Sequence, residues 1–143
     1  MSYAHTVTVA LPFQEAVQKI KESLAEQGFG ILSEINVRST FDAKLGHPSA
    51  EALGEYLILG ACNPALAQRA LTAEPDMGVL LPCNVVVRRA VEATRTVVQA
   101  IDVQTMVQLS DNPQVHEVAD EADTLLNAAL RSFEAQHATP LDN

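Results

Sequence analysis

Two short segments contain the residues best suited to chemistry, and each pairs a cysteine with an asparagine. They are Cys62-Asn63 and Cys83-Asn84. A cysteine thiolate is a strong nucleophile, and an asparagine amide both donates and accepts hydrogen bonds. Lys44 is a candidate charge partner for a bound anion. We therefore take these five residues as the candidate ligand-binding set, with Cys62 as the candidate reactive residue.

Cys62 stands where an apolar strand meets the start of a helix. Residues 56–60 are apolar on both faces, which predicts a central strand, and Asn63-Pro64 is typical of a helix N-terminus. The first-turn amides of a helix favour an anion or a thiolate placed beside them. In the alternative, structural interpretation, Asn63 only caps the helix and Cys62 is a small buried hydrophobe. The sequence leaves both interpretations open.

Cys83 lies in a predicted strand over residues 79–89, on the same face as Leu81, Val85 and Val87. Burial there would favour the neutral thiol. Asn84 falls on the opposite face unless a bulge intervenes, and Pro82 suggests a bulge or a sheet edge. If this strand neighbours the strand before Cys62, the two Cys-Asn pairs line one pocket. The sequence alone does not decide that adjacency.

Familiar catalytic and metal-binding motifs are absent from the sequence. There is no phosphate-binding glycine loop, no Gly-x-Ser-x-Gly and no Cys-x-x-Cys. The four histidines are scattered along the chain, so we predict no metal site and no cofactor. A thiolate metal or haem site would need more ligands, and His47 would be the first candidate. The four histidines are His5, His47, His116 and His137.

The remaining pattern predicts an α+β fold, a mostly antiparallel sheet of about five strands with helices packed on it. Predicted strands cover residues 5–10, 31–37 (half-buried), 56–60, 79–89 and 96–101. Predicted helices cover residues 13–27 (ended by Gly28), 40–45 (capped by Ser39), 64 to just before Pro75, and about 113–136. We divide this single domain into a core over 1–110, an amphipathic helix over 111–137 that packs on or extends the core, and a tail over 138–143.

Composition restricts the partners and the location. The chain has 143 residues, with 9 Lys+Arg against 18 Asp+Glu, and its formal net charge is −9 at pH 7. That charge argues against nucleic acid and against an anionic membrane surface. No apolar run reaches the roughly 18 residues of a spanning helix, and the N-terminus does not resemble a signal peptide. We therefore expect a cytoplasmic protein.

Several blocks together resemble the Domain of Unknown Function 302 family. The resemblance covers about residues 5–107 and is most specific in two blocks, Leu59-Gly60-Ala61-Cys62-Asn63-Pro64 and Leu80-Leu81-Pro82-Cys83-Asn84-Val85-Val86-Val87. It implies a small bacterial or archaeal α+β protein, cytosolic and homodimeric, with no agreed activity. The turn at residues 91–95 departs from the Asp-Gly-like turn that is more common in the family.

Two functions follow as hypotheses, and whether the protein is an enzyme is left undecided. The first is a cytosolic thiol-bearing binding or redox and sulfur-handling module, whose pocket takes a small anionic or sulfur-containing ligand. The alternative is a non-catalytic dimeric binding or interaction domain in which both cysteines are structural. In either case the long apolar strands and the resemblance lead us to expect a homodimer.

Overall fold

A five-stranded sheet forms the centre of the protein, in the order β1-β5-β4-β3-β2 with every neighbouring pair antiparallel. The computed structural model describes residues 2–137. The strands are β1 (Ala4–Val9), β2 (Gly30–Asn36), β3 (Glu55–Cys62), β4 (Cys83–Arg89) and β5 (Thr96–Ile101). The α+β fold class predicted from the sequence is confirmed.

Helices cover one face of this sheet and connect its strands. They are α1 (Phe13–Glu26), α2 (Val37–Leu45), α3 (His47–Leu53), α4 (Pro64–Ala73), α5 (Val103–Val107) and α6 (Pro113–His137), with a 3-10 helix at Pro75–Leu80. The long helix α6 contacts α1, α4, α5 and strand β1. Among residues 2–137, no helix is both long enough and apolar enough to cross a membrane.

The hydrophobic core lies between the sheet and helices α1 and α6. Alternate residues of each interior strand face this core, as the period of a strand requires. The fully buried side chains include Ile20, Leu24, Leu59, Val85, Val87, Val98, Leu126 and Phe133. Burying one such side chain stabilises the fold by about 1.5–3 kcal/mol. Residues from α6 and from the sheet belong to one contiguous cluster.

Gly28, just beyond the last residue of α1, terminates this helix, as the sequence predicts. Gly28 has φ +86°, a left-handed conformation that favours glycine. The Gly28 amide donates to the Ala25 carbonyl and the Phe29 amide donates to the Leu24 carbonyl, both at 3.0 Å. These two bonds form a Schellman motif, which turns the chain so that Phe29 is buried in the core.

Two sequence-based boundaries and one cap residue were wrong. The strand predicted over 79–89 begins only at Cys83, because Pro75–Leu80 forms a 3-10 helix instead. Helix α2 begins at Val37, and its cap is Asn36, whose side chain accepts from the Ser39 amide at 2.9 Å. Ser39 therefore donates to the cap and is not itself the cap.

Strand β2 is an edge strand, and almost all of its side chains are exposed. The sequence predicted a half-buried strand because apolar residues alternate there. A register shift between Ile31 and Ser33 breaks that alternation, so Ile31 packs against the core whereas Ile35 lies on the other face of the sheet and remains 51% exposed. The short helices α3 and α5 were not predicted, and the predicted tail over 138–143 lies outside the described residues.

Candidate functional site

A small cavity of about 50 Å³ lies where β3 and β4 meet helices α4, α5 and α6. Cys62, Asn63 and Cys83 all line this cavity. The rest of its wall is apolar and includes Phe29, Met77 and Met106. Among the residues that the structure describes, none of the side chains lining the cavity carries a formal charge. The site therefore combines two thiols and one amide with an apolar wall.

Strand pairing brings together the two chain segments that contain the cysteines. In the β3–β4 ladder Ala61 pairs with Cys83, so Cys62 lies one residue beyond the Cys83 partner. Cys83 points into the core and is 8% exposed, whereas Cys62, the last residue of β3, is half-buried. Both thiols are free. The adjacency of the two strands, which the sequence could not decide, is thus present in the fold.

The other two candidate residues lie outside the cavity. Asn84 pairs with Gly60 and is exposed on the opposite face of the sheet, because β4 continues without a bulge at that point. Lys44 is exposed near the end of α2. Neither side chain lines the cavity. The structure therefore groups Cys62, Asn63 and Cys83 and separates Asn84 and Lys44 from them.

Gly60 allows the segment before Cys83 to approach β3 closely. A Cβ atom at residue 60 would meet the Pro82 ring at 2.9 Å and would also collide with the Ser33 hydroxyl. Pro82 follows a cis peptide bond and lies in the cavity wall beside Cys83. A larger residue at position 60 would therefore displace the chain that places Cys83.

Asn63 is the N-cap of α4, as the sequence predicts. Its side-chain oxygen accepts a hydrogen bond from the Leu66 amide at 3.3 Å. Its Nδ2 atom lies close to Gly28, where an added Cβ would be 3.0 Å away. The asparagine side chain thus caps α4 and packs against the turn after α1. The positive end of the α4 dipole is directed at the segment that contains Cys62.

The two thiols have different electrostatic environments. Burial, with a smaller contribution from the nearby Cys62, raises the pKa of the Cys83 thiol to about 11. Charging Cys83 would place an anion in an apolar wall, so this thiol stays protonated at neutral pH. Cys62 is the more accessible of the two. The arrangement therefore presents one accessible thiol next to one neutral, buried thiol.

Sequence reasoning missed most of the cavity wall. Met77 comes from the 3-10 helix, Met106 from α5, and Val118 and Ala122 from α6. These residues are distant in sequence from either cysteine, and their pattern only marks them as apolar. The apolar face of the last helix was the one available signal. It predicts that this face is buried, but not which residues pack against it.

The family model for the domain of unknown function DUF302 matches residues 5–133. The chain belongs to this family. A solved structure from the DUF302 family, an uncharacterised conserved protein from Bacillus stearothermophilus, is similar to it with 28% sequence identity and a TM-score of 0.80. That similarity covers 92% of this chain and 98% of the Bacillus chain. No curated protein matches the sequence.

The DUF302 fold brings together the segments on which the resemblance rests. The segment ending in Cys62-Asn63-Pro64 and the segment around Pro82-Cys83 both line the cavity. Phe29, from the turn after α1, lies in the same wall. The two blocks in which the resemblance is most specific therefore meet at one place, around the two thiols.

Proposed function

We propose that this DUF302 protein is a cytosolic sulfur-handling module in which Cys62 carries a sulfur atom inside the small cavity. The observation that carries the proposal is that one accessible thiol and one buried neutral thiol line the same apolar cavity. Cytosolic thiols are kept reduced, so both groups would be present as free thiols. Of the two ligand classes expected from the sequence, anionic and sulfur-containing, the proposal retains only the sulfur-containing one. A free anion is left out because no cationic side chain lines the cavity.

The size of the cavity suits an attached sulfur better than a metabolite. One water needs about 10–15 Å³ of cavity volume, so about 50 Å³ holds only a few non-hydrogen atoms. A persulfide on Cys62 adds one sulfur atom and keeps the rest of the donor outside. The apolar wall, including the sulfur atoms of Met77 and Met106, offers polarizable contacts for that atom.

The loading step is an ordinary thiol exchange with a low-molecular-weight persulfide as donor. The Cys62 thiolate attacks the terminal (sulfane) sulfur of R–S–SH, the S–S bond of the donor breaks, and RS⁻ leaves with the electron pair. The product is Cys62–S–SH, and no external oxidant is needed because the donor already holds the oxidised sulfur.

Cys83 controls how long the loaded sulfur persists. Attack of a Cys83 thiolate on the Cys62 sulfur would release HS⁻ and leave a Cys62–Cys83 disulfide, which discards the carried atom. With a pKa of about 11, only about one Cys83 in ten thousand is a thiolate at pH 7. The burial of Cys83 therefore slows that loss and keeps the persulfide available for an acceptor.

Intact-mass measurement of the reduced protein after exposure to glutathione persulfide tests the proposal. We expect a gain of one sulfur atom, about 32 Da, in the wild type and in Cys83→Ala, and no gain in Cys62→Ser. Raising the pH towards 11 should shorten the life of the persulfide in the wild type but not in Cys83→Ala. A gain that depends on Cys83, or no gain before unfolding, would overturn the proposal and favour structural cysteines in an interaction domain.

A further inference from the structure

A second group of chemistry-bearing residues lies outside the cysteine cavity and was not predicted. His5 of β1, Asp102 after β5 and Asp123 of α6 converge at one place. The His5 Nε2 atom is 3.9 Å from Asp102 Oδ1 and 3.8 Å from Asp123 Oδ1. Three elements far apart in sequence thus direct one nitrogen and two carboxylates at a common point.

Two of these three atoms are buried and lack a partner. Among residues 2–137, His5 Nε2 and Asp123 Oδ1 are the buried side-chain polar atoms with no hydrogen-bond partner. Such atoms are rare in native proteins, since each costs about 1–3 kcal/mol, and they call for an explanation such as an ion. Their separation of 3.8 Å is too long for a hydrogen bond between them.

The spacing of the donors suits a bound cation. All three atoms lie within 4.8 Å of one another. A point equidistant from three atoms at such separations is about 2.2–2.5 Å from each, and divalent ions lie about 2.0–2.6 Å from nitrogen and oxygen ligands. Asp102 is also held in place, because its Oδ1 accepts from the Gln104 amide at 3.0 Å. This bond makes Asp102 the N-cap of α5.

Another histidine with two acidic neighbours provides a contrast within the same chain. His47 Nδ1 is 3.2 Å from Asp42, whereas its Nε2 is 3.4 Å from Glu51. Its two carboxylates lie on opposite sides of the ring and cannot share one ion with it, and all three side chains are well exposed. At His5 both carboxylates face the same nitrogen. This difference separates a convergent donor set from an ordinary surface ion pair.

We propose that His5, Asp102 and Asp123 bind a divalent first-row metal ion such as Mn²⁺ or Zn²⁺, with water completing its coordination. One nitrogen and two carboxylate oxygens form a donor set that such ions accept. The ion would neutralise two carboxylates in a chain of net charge −9. It would also tie the first strand to the end of β5 and to α6. This site is independent of the cysteine chemistry proposed above.

Mn²⁺ is the probe of choice, because it prefers oxygen and imidazole ligands and avoids the two thiols. Full-length chain treated with EDTA and dialysed is titrated with MnCl₂, and free Mn²⁺ is read from its electron paramagnetic resonance signal. We expect one ion per chain in the wild type, and displacement by added Zn²⁺. Asp123→Asn and His5→Gln should each weaken binding at least about 10-fold, since even outer-shell changes cost about 10–100-fold.

His47→Gln and Asp42→Asn are the matched controls, and they should bind Mn²⁺ like the wild type. Mn²⁺ should also raise the thermal midpoint of the wild type and of both controls, but not of Asp123→Asn. Circular dichroism of the metal-free variants checks that each is folded. If Asp123→Asn does not fold, His5→Gln takes its place in the thermal measurement. Absence of Mn²⁺ binding to the wild type, or equal binding by all variants, overturns the proposal.

Discussion

Cys62 and Cys83 line the same cavity, and the residue before Cys62 pairs with Cys83 across the β3–β4 ladder. This register places an accessible thiol at the end of one strand and a buried thiol at the start of the next. Gly60, by admitting Pro82 against β3, makes the approach sterically feasible.

Cys62 should be the faster thiol to alkylate in the native protein. Cys83→Ala leaves only Cys62, and Cys62→Ser leaves only Cys83, so iodoacetamide rates between pH 6 and 9 compare them directly. We expect Cys83→Ala to react faster throughout, because a thiol with a pKa of about 11 is almost entirely protonated in this range. Faster labelling of Cys62→Ser would contradict the assignment.

The stability of the protein should fall at alkaline pH because of Cys83. The folded state holds the Cys83 proton up to a pKa of about 11, whereas the ordinary value is 9.0. The stabilisation is present below about pH 9 and is lost as the pH rises towards 11, by about 1.4 kcal/mol for each unit of pKa difference. Urea unfolding at pH 8 and 10.5 measures the fall. Cys83→Ala should show a smaller fall, and an identical one would refute this cause.

The sequence predicts features that depend on neighbouring residues, and it does so well here. The Asn63-Pro64 helix start, the Gly28 helix end and the strand at 96–101 are all confirmed. Each rests on local chemistry, such as a side-chain cap or a left-handed glycine. The start of β4 was wrong because Val79 and Leu80 are apolar and resemble the start of a strand, whereas they end the 3-10 helix that contacts α4.

Which residues come together in the cysteine cavity and around His5 depends on pairing between segments that are distant in sequence. No local sequence pattern determines this pairing. The exclusion of Asn84 follows from strand parity, which the sequence did suggest. The convergence of His5 and Asp123 did not follow from any spacing, since β1 and α6 are at opposite ends of the chain. Scattered histidines looked isolated for the same reason.

Replacing Asn63 should destabilise the protein through the loss of its cap. Asn63→Ala removes the acceptor for the Leu66 amide, which costs about 1 kcal/mol at a typical N-cap. Asn63→Asp keeps a capping oxygen and should retain most of the stability, so it is the control. Urea midpoints provide the measurement, and an unchanged midpoint in Asn63→Ala would show that the cap contributes nothing.

Glu121 should titrate below the usual range of a glutamate. Arg69 of α4 donates to Glu121 of α6 at 2.5 Å, and this hydrogen bond is the largest cause of the lowered pKa of Glu121. Stability from the pair is therefore present above the ordinary glutamate pKa and is lost as the pH falls through the lowered value. Carboxyl carbon shifts in an NMR titration report this pKa. Arg69→Gln should raise the pKa of Glu121. Arg131→Gln is the control, because it also removes one positive charge, from α6 itself, and should leave this pKa unchanged.

The homodimer expected from the sequence requires apolar side chains that remain accessible on the surface of the protomer. The apolar residues Val85 and Val87 are buried inside the protomer, so they no longer require a partner. A different row of apolar side chains crosses the other face of the sheet, where Ile35 pairs with Ile58 and Ile58 pairs with Val86. Ile58 and Val86 are half-buried, and Ile35 is exposed on the edge strand.

We predict that two copies associate through this row at the β2 edge. A stable interface buries about 1,200–2,000 Å² in total and places apolar side chains at its centre. Ile35→Lys introduces a charge there and should convert a dimer to a folded monomer in multi-angle light scattering. Leu109→Lys is the control. It alters an exposed apolar residue in the loop between α5 and α6, outside this row, and should leave the mass unchanged. A wild-type monomer at micromolar concentration would rule out the dimer, and a dimer that survives Ile35→Lys would place the interface elsewhere.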